Sequence, residues 1–489
     1  MLTRTASQTL TEQLAGRFAE RIRAQLLAPG ARLPSVRECA RQQGVSPHTV
    51  VAAYDVLLAQ GLVEARRQRG FFVRDTQQPH SVPSAAAPAG ARHPALPGIG
   101  PLPVGSRIHA TALIRGMFHS PSARPQPGSG VLPPDWIDLP ALPAAVRKVV
   151  NGSAWAQGSL LYGEPMGDAG LRASLSRRLG ALHITAPPEQ IMTTVGATHA
   201  LDIVSRTLLK AGDPVMVEEP GWSVEFARLE ALGMRVLPVP RNPDGPDLAV
   251  MAHYCETHQP RLFVSVSVFH NPTGYCLSPG SAHRLLQLAQ QHDFHIVEDD
   301  TYSHIAPEHA TRLTALDGLQ RTIYVGGFAK ILAPNWRVGY LAAPVPLVER
   351  LLDTKLLATL TTPSLLEKAL AICIEQGQLR RHAERVRARL DAARSRSVTL
   401  ARAAGCVFMA EPAGLFGWVD TGVDTDLLAQ HMLDEGYLLA PGALFHASRQ
   451  PSTLMRISFA TTQEAAFWDT FEQVRDRMAP QRGLRRAAP

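Results

Sequence analysis

Residues 76–105 place the strongest constraint on how this chain of 489 residues can fold. The stretch is built from Pro, Ala, Gly and Ser, as in Pro79-His80-Ser81-Val82-Pro83 and Pro94-Ala95-Leu96-Pro97-Gly98. Such a composition cannot bury a core and reads as a linker. At roughly 3.1 Å per residue its extended reach is on the order of 90 Å. The chain must therefore fold as separate units: a head over residues 1–75 and a body over 106–480, followed by a basic tail, 481–489. The length allows about three domains in all, and a hydrophobic content of 45% can fill a large core. Five cysteines, Cys39, Cys255, Cys276, Cys373 and Cys406, are scattered with no C-x-x-C pair. That is the pattern of reduced thiols in a cytoplasm, where the protein is expected. No apolar signal core follows Met1, and no apolar run has membrane length. The eighteen histidines show no metal-ligand spacing.

Charge separates the units further. Residues 1–75 carry 11 Arg, no Lys and 6 acidic residues, hence +5 of the chain's +7. A basic head on a nearly neutral body is the footprint of a unit that meets a polyanion. Within the head, Leu14, Phe18, Ile22 and Leu26 recur at helical spacing over 10–28, and Pro29-Gly30 ends that helix. Ser35, with Glu38 three residues on, caps a second helix. After the turn at Gly44, Ser46-Pro47 opens a third helix that runs to about Gln60. Residues 61–65 and 70–73 read as two short strands joined by the basic turn Arg66-Arg67-Gln68-Arg69.

Helix, turn, helix and a basic wing form a winged helix-turn-helix. Its third helix would present Ser46, His48 and Thr49 to the major groove of double-stranded DNA. Ser35 and Arg37, with Arg66, Arg67 and Arg69 of the wing, would lie against phosphates. The segment PGARLPSVRECARQQGVSPHTVVAAYDVLLAQGLVEARRQRGFFV resembles the DNA-binding domain of the GntR superfamily.

From residue 160 onward, short strands such as 214–217, 262–266 and 295–297 alternate with helical stretches. That pattern predicts a mostly parallel sheet with crossover helices, whose ligands bind at the carboxyl ends of the strands. Chemistry-bearing residues follow those strands. Lys330, one of few lysines in an arginine-rich chain, is entered from an apolar stretch and followed by Arg337. A partly desolvated amine is nucleophilic enough to form a Schiff base, and the arginine can hold a phosphate on the same ligand. Gly196, Ala197 and Thr198 open a helix whose N–H groups can cradle that phosphate. Trp222 can stack on a planar ring. Asn271 sits in the tight turn His270-Asn271-Pro272-Thr273-Gly274. Asp299 and Tyr302 end another strand, and Arg456 lies on a C-terminal strand, suited to a bidentate grip on a carboxylate.

Together these groups meet the needs of pyridoxal 5'-phosphate. Lys330 forms the imine, Asp299 keeps the pyridine nitrogen protonated, and Asn271 and Tyr302 bond the phenolic oxygen. In order and spacing, residues 106–480 resemble the fold-type-I aminotransferases, an α/β fold with large and small subdomains. The resemblance implies that Tyr162, in Leu161-Tyr162-Gly163-Glu164-Pro165, reaches the neighbouring subunit's phosphate, and hence a homodimer. It also implies hydroxyl residues one and three positions before the lysine. Here Ala329 and Gly327 stand there, so weaker cofactor retention is expected.

A GntR-type head on such a body resembles the MocR subfamily of bacterial transcription regulators. The implied function is a cofactor-dependent regulator that binds operator DNA and senses an amino acid, an amine or the cofactor itself through an aldimine at Lys330. The alternative is an active aminotransferase, amino acid to 2-oxo acid, with an accessory DNA-binding domain. A body that has lost its cofactor and only dimerises is at odds with intact Asp299, Asn271, Lys330, Arg337 and Arg456.

Overall fold

The computed structural model describes residues 9–23, 27, 29–66, 69–74 and 124–478. The expected linker, residues 106–123, the basic tail, Leu26 and Arg67 lie outside them. The chain divides into two compact units, Met1–Ala123 and Arg124–Pro489.

The head contains α1 (Leu10–Arg23), α2 (Val36–Gln43), α3 (Pro47–Ala59), β1 (Val63–Arg66) and β2 (Gly70–Val73). Leu14 and Phe18 of α1 pack with Val50, Tyr54 and Leu57 of α3 in one apolar cluster. Ser35 accepts from Glu38 N–H, and Ser46 accepts from Thr49 N–H, so both helices start where the caps predict. One difference is informative. The wing has a third short partner, because Arg32 bridges Phe72 and Leu33 N donates to Phe71 O at 2.8 Å.

The body is built on an eight-stranded sheet. Its strands are β3 (Ile191–Thr194), β4 (Pro214–Glu219), β5 (Arg235–Asn242), β6 (Gly245–Pro246), β7 (Leu262–Ser265), β8 (His295–Asp299), β9 (Thr322–Gly327) and β10 (Gly339–Ala342). They lie in the order β3-β10-β9-β8-β7-β4-β5-β6. The pairs β5–β4, β4–β7, β7–β8 and β8–β9 are parallel. The strand β10 runs antiparallel between β3 and β9. Successive side chains of each strand face opposite sides. Val215, Val217 and Val297 pack with Leu201 and Val204 of α4 (Ala197–Leu208). Met216 and Ile296 pack with Leu285 and Phe294 on the other face. Helix α5 (Gln378–Ala403) precedes a smaller antiparallel sheet. That sheet has the order β11 (Val407–Phe408), β12 (Phe416–Asp420), β14 (Leu454–Ser458), β13 (Ala440–Pro441).

One buried ion pair braces the end of β8 beside the site. Arg312 Nε donates to Asp300 Oδ2 at 2.6 Å, with both side chains fully buried. Arg312 Nη1 also ties down the carbonyls of Glu308 and Ala310. Burial pushes the Asp300 carboxyl up, and Arg312 opposes that push. Arg312→Ala therefore strands a buried acid and should cost about 3–5 kcal/mol. The midpoint of urea unfolding reads this loss, and Asp300→Asn in the same chain should restore part of it.

Candidate functional site

The carboxyl ends of β3, β4, β7, β8 and β9 bring the predicted residues into one region. After β3, Gly196 turns the chain at φ +78° into α4. That turn is pinned from both sides. Val195 N donates to His199 Nδ1 at 3.0 Å, and Val195 O accepts from Arg337 Nη2 at 3.1 Å. A Cβ on Gly196 would stand 2.4 Å from Arg337 Nη2, so only glycine admits the guanidinium there. Gly339 is equally constrained, since a Cβ on it would meet the Gly196 carbonyl carbon at 2.4 Å. The N–H groups of Ala197 and Thr198 open α4 with no acceptor among the described residues. Free helix-start donors beside an exposed arginine suit a phosphate.

The groups expected around the ring are also assembled. Asp299 Oδ1 accepts from Thr301 N–H at 3.1 Å and from its hydroxyl at 2.5 Å. Oδ2 has no partner among the described residues. Burial pushes the Asp299 carboxyl up to about 6, and the bonds from Thr301 oppose this. A protonated ring nitrogen would complete the unpartnered oxygen. Trp222 and Asp299 line one cleft, with Glu225 and His270. Tyr302 is 6% exposed. Burial pushes its hydroxyl well up, against the nearby Arg456 and a hydrogen bond with Asn271, so it remains a donor. The donor set, the glycine cradle and the unpartnered carboxylate oxygen fit pyridoxal phosphate.

Lys330 and Arg456 have partners that residue type alone does not predict. Lys330, half-buried, donates to the Gly130 carbonyl at 2.7 Å. Burial lowers its amine to about 8, Arg456 adds to that, and Asp299 opposes it. Arg456 is 3% exposed. It donates to Asn271 Oδ1 at 3.0 Å and to the Gly128 carbonyl at 2.6 Å. Its guanidinium lies 4.3 Å from the Phe416 ring centre and 5.2 Å from that of Phe445. It forms no ion pair among the described residues. Residues 124–130 are held down by the small subdomain. Gly128 N donates to Leu438 O at 2.7 Å, Ser458 N donates to Pro127 O at 3.1 Å, and Leu438 N donates to Gln126 Oε1 at 2.7 Å. No residue-type signal announces this strap, because it acts through main-chain carbonyls.

Gly327 has room for the first atom of a side chain. A Cβ on Gly327 meets nothing nearer than Ala197 at 3.6 Å. The double replacement Gly327→Ser/Ala329→Ser should tighten cofactor retention by about ten-fold, the worth of one good added hydrogen bond. A cofactor dissociation constant unchanged from wild type would refute the idea.

Within the body, Tyr162 is not joined to this region. Tyr162 is 82% exposed, beside Leu160 at 83% and Leu161 at 76%, and no hydrogen bond or ring contact joins it to the site. In the head, Ser35, Arg37, Ser46, His48, Arg66 and Arg69 are exposed and Thr49 is half-buried. Arg66 pairs with Glu64 at 2.7 Å and lies 4.6 Å from the Phe72 ring centre. Among the described residues no helix is long and apolar enough to cross a membrane, and no His, Cys, Asp and Glu group has a metal-holding arrangement.

Known proteins share both units. Residues 10–73 match the bacterial regulatory proteins of the gntR family, and residues 128–467 match aminotransferase class I and II. The chain is 31% identical to the probable rhizopine catabolism regulatory protein MocR of Rhizobium meliloti, over 75% of this chain and 73% of that one. It is 27% identical to the uncharacterized HTH-type transcriptional regulator YisV of Bacillus subtilis, over 89% of each. The alpha-aminoadipate aminotransferase LysN of Thermus thermophilus has the same fold, with a TM-score of 0.68 and 24% identity over 75% of this chain and 95% of that one. The family and these neighbours support pyridoxal phosphate as the cofactor. The chain belongs to the aminotransferase class I and II family and, through its gntR-family head, to the MocR subfamily of GntR-type regulators.

Proposed function

We propose that this GntR-type regulator reads operator DNA with its head and senses a carboxylate-bearing amine in its body. One observation carries the reading. The two cationic groups that would meet such a ligand, Lys330 and Arg456, are both held by carbonyls of one three-residue stretch, Gly130 O and Gly128 O. Pyridoxal phosphate, when bound, supplies an aldehyde that condenses with amines and a ring that draws electrons from them. Arg337 and the N–H groups of Ala197 and Thr198 would hold its phosphate, Asp299 Oδ2 would accept a hydrogen bond from its protonated ring nitrogen, and Trp222 would cover its ring. Tyr302 and Asn271 would donate to its phenolic oxygen.

A carboxylate arriving at Arg456 competes with the Gly128 carbonyl for the same Nη2 donor. A charged acceptor outbids a neutral one, so occupancy loosens residues 124–130. That segment is the first described part of the body, on the linker side of the site in sequence, which makes it a route by which ligand can bias how the heads are presented. Only a ligand that binds the tied and released arrangements with different free energy can do this.

A homodimer belongs to this reading. Leu160, Leu161 and Tyr162 stand out together, and Gly163 packs against Thr361 and Thr362, which follow the half-exposed Leu360. A second copy would cover these apolar groups and bring Tyr162 to its partner's phosphate. Two tethered heads would then share paired half-sites at raised effective concentration.

A mobility-shift assay on the chain's own upstream DNA tests the proposal. Wild type should bind, and its affinity should change when cofactor and a carboxylate-bearing amine are added together. Failure to bind such DNA, with rapid conversion of an amino acid to its keto acid, would leave the aminotransferase reading instead. That reading has its own support in the assembled Asp299, Asn271, Lys330 and Arg456. It is also supported by 30% identity to the 2-aminoadipate transaminase of Thermus thermophilus over 62% of this chain and 77% of that one.

A further inference from the structure

Helix α5 carries a charge pattern that the site does not use. Its 26 residues, Gln378–Ala403, include eight arginines, no lysine and only two acids, Glu384 and Asp391. At 3.6 residues per turn, Arg381, Arg385, Arg389 and Arg396 fall within about 80° of one another around the helix. All four are exposed. Ala392 lies inside that arc and Thr399 at its edge, Ala388 and Ser395 border it, and all four are small and exposed. Glu384 and Asp391 lie toward one flank, where they pair with Arg380 at 3.0 Å and Arg394 at 2.7 Å.

The stripe is largely unneutralised. Only Arg389 meets an acid, Asp135, at 2.6 Å. Arg381 donates to the Gln376 carbonyl at 3.2 Å, Arg385 shares a bond with His382 at 3.3 Å, and Arg396 donates to Gln463. None of these three forms an ion pair among the described residues. Those neutral partners position the guanidinium groups and leave their charge uncompensated. The buried side of the same helix, through Leu379, Val386, Leu390 and Ala393, fixes the stripe on a rigid element.

We infer that this face of the body is a second contact surface for duplex DNA, binding its phosphate backbone. From Arg381 to Arg396 the stripe runs about 22 Å at ~1.5 Å per residue. One DNA strand offers a phosphate every 3.4 Å or so of axis, so about six phosphates lie alongside that length. The small residues between the arginines let a backbone approach closely, and guanidinium forks match phosphate oxygens. Such contacts carry no sequence information; they add affinity and hold register for the head, which does the reading. The inference rests on the proposal that the protein binds DNA.

The test is the salt dependence of full-length, cofactor-loaded protein binding to its own upstream duplex and to an unrelated duplex. Each phosphate contact contributes about 0.9 to the slope of log affinity against log salt. The triple variant Arg381→Gln/Arg385→Gln/Arg396→Gln should lower that slope by about 3 on both duplexes, with cofactor affinity and melting temperature unchanged. The off-stripe variant Arg380→Gln/Arg402→Gln should leave the slope near wild type. A triple variant with the wild-type slope would overturn the surface while leaving the regulator reading intact. An equal loss per arginine in the off-stripe variant would overturn it too, by showing a diffuse charge effect. Loss of binding to anionic phospholipid vesicles with an unchanged DNA slope would assign the stripe to a membrane instead. A wild type that binds neither duplex would sink the regulator reading and this surface with it.

Discussion

Lys330→Ala should abolish the visible absorbance of the lysine-bound cofactor and let the cofactor pass through dialysis. The wild-type chain should acquire that absorbance at a rate that rises with pH. Attachment needs the neutral amine. An exposed lysine titrates near 10.4, whereas burial, with Arg456 adding to it and Asp299 opposing, brings Lys330 to about 8. The neutral fraction at pH 7 is thereby raised by about two orders of magnitude, to about a tenth. The sign of the profile follows. The attachment rate should climb about ten-fold from pH 6 to 7 and level off above about pH 8. Neighbouring charges should move the profile in opposite directions. Arg456→Gln removes a cation, raises the amine's pKa and shifts the rise to higher pH. Asp299→Asn removes an anion and shifts it lower. A rate that is flat from pH 6 to 9 would remove the amine's titration from the account, and covalent attachment in Lys330→Ala would remove the lysine itself.

What the sequence disclosed tracks how local each signal is. Ser35 and Ser46 mark helix starts because capping is settled within three residues, and both side chains cap as expected. Lys330 and Arg337 are legible because one short loop carries both. Gly196 is legible as the opening of a phosphate-binding helix, but not the reason glycine is needed there, which is its positive φ together with the Arg337 guanidinium arriving from the Lys330 loop. The third partner of the wing escaped because a single bridge at Arg32 leaves no alternating pattern to read. The position of β10 between β3 and β9 escaped because its four residues are fully buried, so nothing in their polarity shows strand direction. The strap lies furthest from any sequence signal. Its two decisive bonds join residues 200 and 328 positions apart and use carbonyl groups that every residue possesses.

The largest effect expected on ligand response comes from Arg456. A guanidinium that is 3% exposed, with no ion pair among the described residues, is a charge without its counter-ion. Burial lowers its pKa to about 10, so it remains charged at neutral pH and the cost of desolvation is carried by the ligand-free state. A ligand carboxylate supplies the missing charge. Removing one member of such a buried pair typically costs about 2–5 kcal/mol, a loss of roughly 30-fold to several thousand-fold in affinity. Arg456→Gln should therefore nearly abolish the shift in melting temperature that carboxylate-bearing amines produce in the cofactor-loaded protein. It should also abolish their effect on DNA affinity. The ligand-free protein should respond differently. Glutamine keeps an N–H donor for the Gly128 carbonyl and an amide for Asn271, and it removes an uncompensated buried charge. Unfolding free energy without ligand should stay within about 1 kcal/mol of wild type. The pairing of the two readouts separates roles: a purely structural arginine would lose stability with and without ligand alike. An amine that lacks a carboxylate should discriminate poorly between wild type and variant, since Arg456 offers it nothing. If such an amine shifts the wild type as strongly as a carboxylate-bearing one, the ligand is held elsewhere, and the strap at Gly128 is not what it displaces.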